Sequence, residues 1–71
     1  MITYEPLWET MERKAITKYQ LIFKYGILKS TLARMKKNKP ILTTTIDDLC
    51  KILNCNVQDI ITYIPDELPP Q

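Results

Sequence analysis

The single glycine of this chain, Gly26, stands between two short segments of helical period, each carrying its own start and stop signals. Glycine enters the left-handed backbone region without steric cost, so a lone glycine just past a periodic helix marks a tight reversal. Upstream, Thr17 and Gln20 form a T-x-x-Q capping box, which predicts a helix starting at Lys18 with Leu21, Ile22 and Tyr25 on its buried side. Downstream, Ile27-Leu28 lead into a segment from Lys29 to about Lys37, with Leu32 and Met35 inward and Lys29, Ser30, Ala33, Arg34 and Lys37 outward. Asn38 is the expected left-handed cap, and Pro40 forbids continuation. With 71 residues there is room for one domain and none for a cleft between two lobes.

The flanks also read as helix. Thr3 can cap a first helix through about Lys14, with Pro6 tolerated in its first turn; Leu7, Met11 and Ala15 give it one apolar stripe beside Trp8. Ala15-Ile16 closes that helix without a glycine, and Tyr4 and Trp8 read as core and rim. Thr43-Thr44-Thr45 offers several N-cap registers for a fourth helix with Ile46, Leu49, Cys50 and Leu53 as its stripe and Asp47 and Asp48 near its positive end. Asn56 with Asp59 looks like a cap for a short fifth helix, Val57 to about Tyr63. Ile60, Ile61, Tyr63 and Ile64 then serve either as core or as a dimer patch. No strand-like alternation survives over five residues. The expected fold is all-α, a compact bundle of about five short helices over residues 1–65, with 66–71 as a loose polar tail.

Charge is distributed more tellingly than the net +2 suggests. Residues 1–12 sum to −3, and residues 47–71 sum to −4. Between them Arg13, Lys14, Lys18, Lys24, Lys29, Arg34, Lys36, Lys37 and Lys39 meet no acid, giving +9. Such a block attracts a polyanion while the acidic ends are repelled, which orients as well as binds. Catalysis is not expected: the chain has no histidine, no glycine-rich phosphate loop and no metal-ligand cluster. Asp47 and Asp48 are adjacent and diverge by about 100° on a helix. No cofactor or metal is implied. Cys50 and Cys55, five apart, fit no zinc or thioredoxin-like spacing and read as small, partly buried apolar residues, with a disulfide or redox switch as the other reading. The N-terminal MITYEPLWET lacks the basic and apolar runs of a signal peptide, and no apolar stretch approaches the roughly 20 residues that span a bilayer. The expected location is the cytoplasm, with no membrane partner.

Two short helices joined by a glycine turn, the second studded with basic residues, let one helix enter a major groove. The turn needs Gly26 to reverse, Ile27 to plug the angle, and Leu21, Leu32 and Met35 to lock it. Residues 17–38, TKYQLIFKYGILKSTLARMKKN, resemble the helix-turn-helix of the phage Cro and repressor type, the XRE family with its lambda-repressor-like fold. The likeness continues through TTTIDDLCKILNCNVQDIITYIP and covers about residues 3 to 65. It implies double-stranded DNA as partner, bound by a homodimer at a near-palindromic site. It implies base contacts from Lys29, Ser30 and Arg34, with Arg34 placed to hold guanine and Lys29 to choose guanine or a phosphate. Thr17 and Lys18 match positions that anchor a phosphate, and Lys36, Lys37, Asn38 and Lys39 match the loop that grips the backbone. Two positions depart from the pattern. Leu28 stands where a capping hydroxyl is usual, and Ile22 where a small residue is. Leu28 and the surplus isoleucines leave a second reading, a protein-binding adaptor or antirepressor-like inhibitor that reuses the fold.

Overall fold

A computed structural model describes residues 1–66 of the chain. In order it runs through strand β1 (Ile2–Thr3), helices α1 (Glu5–Arg13), α2 (Lys18–Phe23), α3 (Lys29–Lys36) and α4 (Thr43–Leu53), a 3₁₀ turn (Val57–Asp59) and strand β2 (Thr62–Tyr63). The molecule is mostly helical, with α2, Gly26 and α3 forming the expected helix-turn-helix. The core gathers Tyr4, Leu7 and Met11 from the N-terminal side, Leu21, Ile27, Leu32 and Met35 from the helix-turn-helix, and Leu49, Leu53 and Ile60 from the C-terminal side. Each inward position expected of α3 and α4 is buried or half-buried.

Three helices end in a left-handed residue that is not glycine. Ala15 has φ 56°, Asn38 φ 56° and Asn54 φ 50°. In each, the residue after the left-handed one donates its N–H five residues back, Ile16 to Met11 (2.9 Å), Lys39 to Arg34 (2.9 Å) and Cys55 to Cys50 (3.1 Å). This closure satisfies carbonyls that a helix end would otherwise leave orphaned. Gly26, at φ 75°, reverses the chain after α2, and Ile27 N–H reaches back to the Leu21 carbonyl at 2.9 Å.

Four expectations need correction. The fold is not all-α with five helices: β1 and β2 pair antiparallel, Ile2 with Tyr63 and Thr3 with Thr62, and Ile64 N–H donates to the Met1 carbonyl at 2.8 Å. Two-residue strands are too short to show alternation, and the β-branched residues after Val57 find a strand partner at the other end of the chain. The fifth helix is accordingly one 3₁₀ turn, in which Asp59 Oδ2 accepts from Asn56 N–H at 3.0 Å. Thr3 does not cap α1. It is a buried strand residue whose Oγ1 has no partner among the described residues, and Tyr4 takes the N-cap position.

The threonine run does not cap α4 either. Leu42 sits at the N-cap in extended conformation without a side-chain bond, and all three threonines lie inside the helix. Burial of Leu49 and Leu53 sets this register, and it outweighs a cap worth about 1 kcal/mol. Tyr25, expected inside, is exposed because α2 ends at Phe23 and Ile27 takes the buried place. Of the C-terminal apolar residues, Ile60 is fully buried and Ile61 half-buried, whereas Tyr63 and Ile64 are exposed. The tail expected over 66–71 lies outside the described residues apart from Asp66, whose carboxylate pairs with the Met1 ammonium at 2.7 Å.

Candidate nucleic-acid interface

The start of α2 is built as its sequence dictates. Thr17 Oγ1 accepts from Gln20 N–H at 3.1 Å, and Gln20 Oε1 accepts from Thr17 N–H at 2.8 Å. This reciprocal cap fixes where Lys18 leaves the backbone. The Lys18 Nζ lies 5.0 Å from the centre of the Trp8 ring, so half-buried Trp8 on α1 positions that ammonium by cation–π attraction. Reading Trp8 as core and rim missed this role, since only the tertiary fold brings residue 8 beside residue 18.

Lys18, Lys29 and Lys36 surround one cleft between α2 and α3, floored by Ile22, Leu32 and Ala33. The half-buried Ile22 is where the family pattern favours a small residue, and here it forms part of that floor. Lys29, Ser30, Ala33, Arg34, Lys36 and Lys37 are all exposed on α3, while Leu32 and Met35 bury its other side. α3 starts without a side-chain cap, because its N-cap residue, extended Leu28, offers only an exposed apolar chain. Among the described residues, the ion pairs join the Met1 ammonium to Asp66, Arg13 to Asp59 and Lys51 to Asp47, and none involves Lys18, Lys29, Lys36, Lys37 or Lys39.

Arg34 stands apart from the lysine cleft. Its Nε and Nη2 donate to the Pro40 carbonyl at 3.1 and 2.8 Å, folding the guanidinium over the loop that follows α3. It borders a shallow groove with Leu28, Thr31, Ile41, Leu42 and Thr45. The same loop is held from behind by Tyr4, whose hydroxyl donates to the Lys39 carbonyl at 2.8 Å and whose N–H donates to Asn38 Oδ1 at 3.4 Å. Asn38 and Lys39 are therefore clamped between α3 and the N-terminal segment. Tyr4 was legible only as core; a buried tyrosine needs a partner for its hydroxyl, but the sequence does not say which.

A tight glycine turn thus presents an exposed, acid-free α3 beside a capped α2. The family model of the Cro/C1-type helix-turn-helix DNA-binding domain matches residues 6–66. This chain belongs to that family. The match takes in α1 to β2, so the Cro/C1-type domain extends well beyond the two helices of the motif. Among solved structures, the crystal structure of the transcriptional regulator VanUg, form II, is similar to it. The TM-score is 0.81 and the sequence identity 32%, over 92% of this chain and 87% of that one. A comparison with curated proteins finds no match. No helix among the described residues of this Cro/C1-type domain is long and apolar enough to cross a membrane.

Proposed function

We propose that this DNA-binding domain acts as a sequence-specific transcriptional regulator in the cytoplasm, laying α3 in the major groove and binding a near-palindromic operator as a two-fold dimer. The observation that carries the reading is the outward face of α3, basic and free of acids, on a helix locked by buried Ile27, Leu32 and Met35. The similarity to VanUg, a transcriptional regulator, supports the regulatory part. Lys29, Ser30 and Arg34 are the proposed base readers. Thr17, Lys18, Lys36, Lys37, Asn38 and Lys39 are the proposed backbone contacts, which set register without reading sequence. Dimerisation would place two copies of α3 about one helical turn apart.

Arg34 carries a condition of its own. Two of its five donors already hold the Pro40 carbonyl, so a bidentate grip on guanine that keeps this bond falls to the outer edge of the guanidinium, the Nη1 hydrogens and the second Nη2 hydrogen. Base reading and the conformation of the following loop are then coupled. Arg34→Ala is expected to relax preference at one base pair, with a loss of about 1–3 kcal/mol of discrimination there. Unchanged affinity and preference in the variant would refute this docking of α3.

The reading is tested by selecting bound duplexes from a random pool at about 0.15 M salt, where purely electrostatic binding is weak. Enrichment of a short inverted repeat is the expected result. Without enrichment, the reading as an adaptor or inhibitor takes precedence. The observation that favours it is the exposed aromatic pair on α2, Tyr19 and Phe23, 69% and 71% exposed with ring centres 4.6 Å apart.

A further inference from the structure

The C-terminus of α4 brings the only two cysteines of the chain together. Cys50 and Cys55 flank the left-handed Asn54, and the Cys55 N–H donates to the Cys50 carbonyl at 3.1 Å. In this type of helix ending, the two residues so joined also bring their side chains into contact. The hydrogen bond bounds the spacing. A carbonyl oxygen lies about 2.4 Å from its own Cα, and an amide nitrogen about 1.5 Å from its Cα. The two Cα atoms are therefore no more than about 7 Å apart at full extension, and bending at the bond shortens this toward the disulfide range of about 4.4–6.8 Å. Both thiols are free and half-buried, and both line an open groove with Ile46, Val57 and Ile61. We infer that Cys50 and Cys55 form a two-thiol redox site that closes to an intramolecular disulfide across the C-terminal cap of α4.

The co-reactant is a low-molecular-weight disulfide of the glutathione class. The Cys50 thiolate attacks one of its sulfurs, forming a mixed disulfide and releasing one thiolate. The Cys55 thiolate then attacks the Cys50 sulfur, forming the protein disulfide and expelling the second small thiolate. Both protein thiol protons go to solvent, and two electrons pass to the oxidant. Burial pushes the Cys55 thiol up, and the neighbouring Cys50 and Asp59 add to this, against a smaller opposing effect of Lys14. Less of Cys55 is therefore thiolate at neutral pH, which slows the closing step. The pair lies at the far end of α4 from the loop that Arg34 holds, so the reaction does not depend on DNA binding.

The test is thiol–disulfide equilibration of the whole protein with reduced and oxidised glutathione, folded and in denaturant, followed by acid quench and intact mass. The folded protein is expected to lose the mass of two hydrogens, with a closure constant at least about tenfold larger than in denaturant. A proximity held by the cap gives that preference, whereas chance closure of a short loop does not. Cys50→Ser and Cys55→Ser should each instead carry one glutathione on the remaining thiol. A folded closure constant equal to or below the denatured one overturns the inference. So do stable glutathione adducts on the unmodified sequence, or disulfide-linked dimers.

Discussion

At the scale of single residues, the chain contains a conflict that the fold overrides. Thr3 is buried in β1 with an unpartnered hydroxyl among the described residues, although its sequence position suits a helix cap. An unpaired buried hydroxyl costs about 1–3 kcal/mol, and pairing of Thr3 with Thr62 keeps it there. Thr3→Val keeps the shape, removes the polar atom and raises β propensity. It is expected to stabilise the protein by about 1 kcal/mol, which in a domain this small raises the melting temperature by about 4–8 °C. A lower melting temperature in the variant would mean that the hydroxyl has a partner, such as a buried water. Tyr4, the next residue, shows the opposite outcome. Its hydroxyl is satisfied by the Lys39 carbonyl, and one side chain thereby joins the core to the proposed DNA-gripping loop.

At the scale of elements, the helix-turn-helix was legible because each of its signals is local. The T-x-x-Q box, Gly26, Asn38 and Pro40 all act within a turn of where they stand, and the structure realises the first three with the expected cap or positive φ. The C-terminal segment was not legible, because its conformation depends on a partner about sixty residues away, at Ile2 and Thr3. The reach of Lys18 to Trp8 and the hold of Arg34 on Pro40 were hidden for the same reason: both need the tertiary fold. Leu28 marks a signal that the sequence lacks, and it yields a prediction. Its extended φ of −67° and ψ of 136° suit an N-cap, and it is 66% exposed, so little packing is lost on replacement. Leu28→Ser supplies the missing acceptor to the first turn of α3 and is expected to stabilise by about 0.5–1 kcal/mol, measured by urea denaturation. If Leu28 instead holds the groove it shares with Arg34 and Pro40, the midpoint falls.

For the whole molecule, the decisive property is where charge is left unneutralised. At the acidic ends, cations are spent locally: Lys51 pairs with Asp47 at 2.8 Å, and Arg13 with Asp59 at 3.7 Å. Exposed pairs of this kind add little stability, but they leave the proposed interface as a face of lysines that no acid among the described residues pairs with. A polyanion meeting that face releases counterions, so the logarithm of affinity falls with the logarithm of salt by about 0.9 per phosphate neutralised. Lys39 isolates this contribution. Its backbone is clamped by Tyr4 and by the closing turn of α3, so truncating its exposed side chain leaves the loop in place. Lys39→Ala is expected to weaken specific and non-specific duplexes alike and to reduce the salt slope by about 1 per protomer, read by anisotropy titrations over a salt series. Arg34→Ala should instead change the preferred sequence, with a smaller effect on the slope. Were Lys39→Ala to alter base preference and leave the slope intact, the residues after α3 would be readers, and α3 would have to enter the groove in a different register.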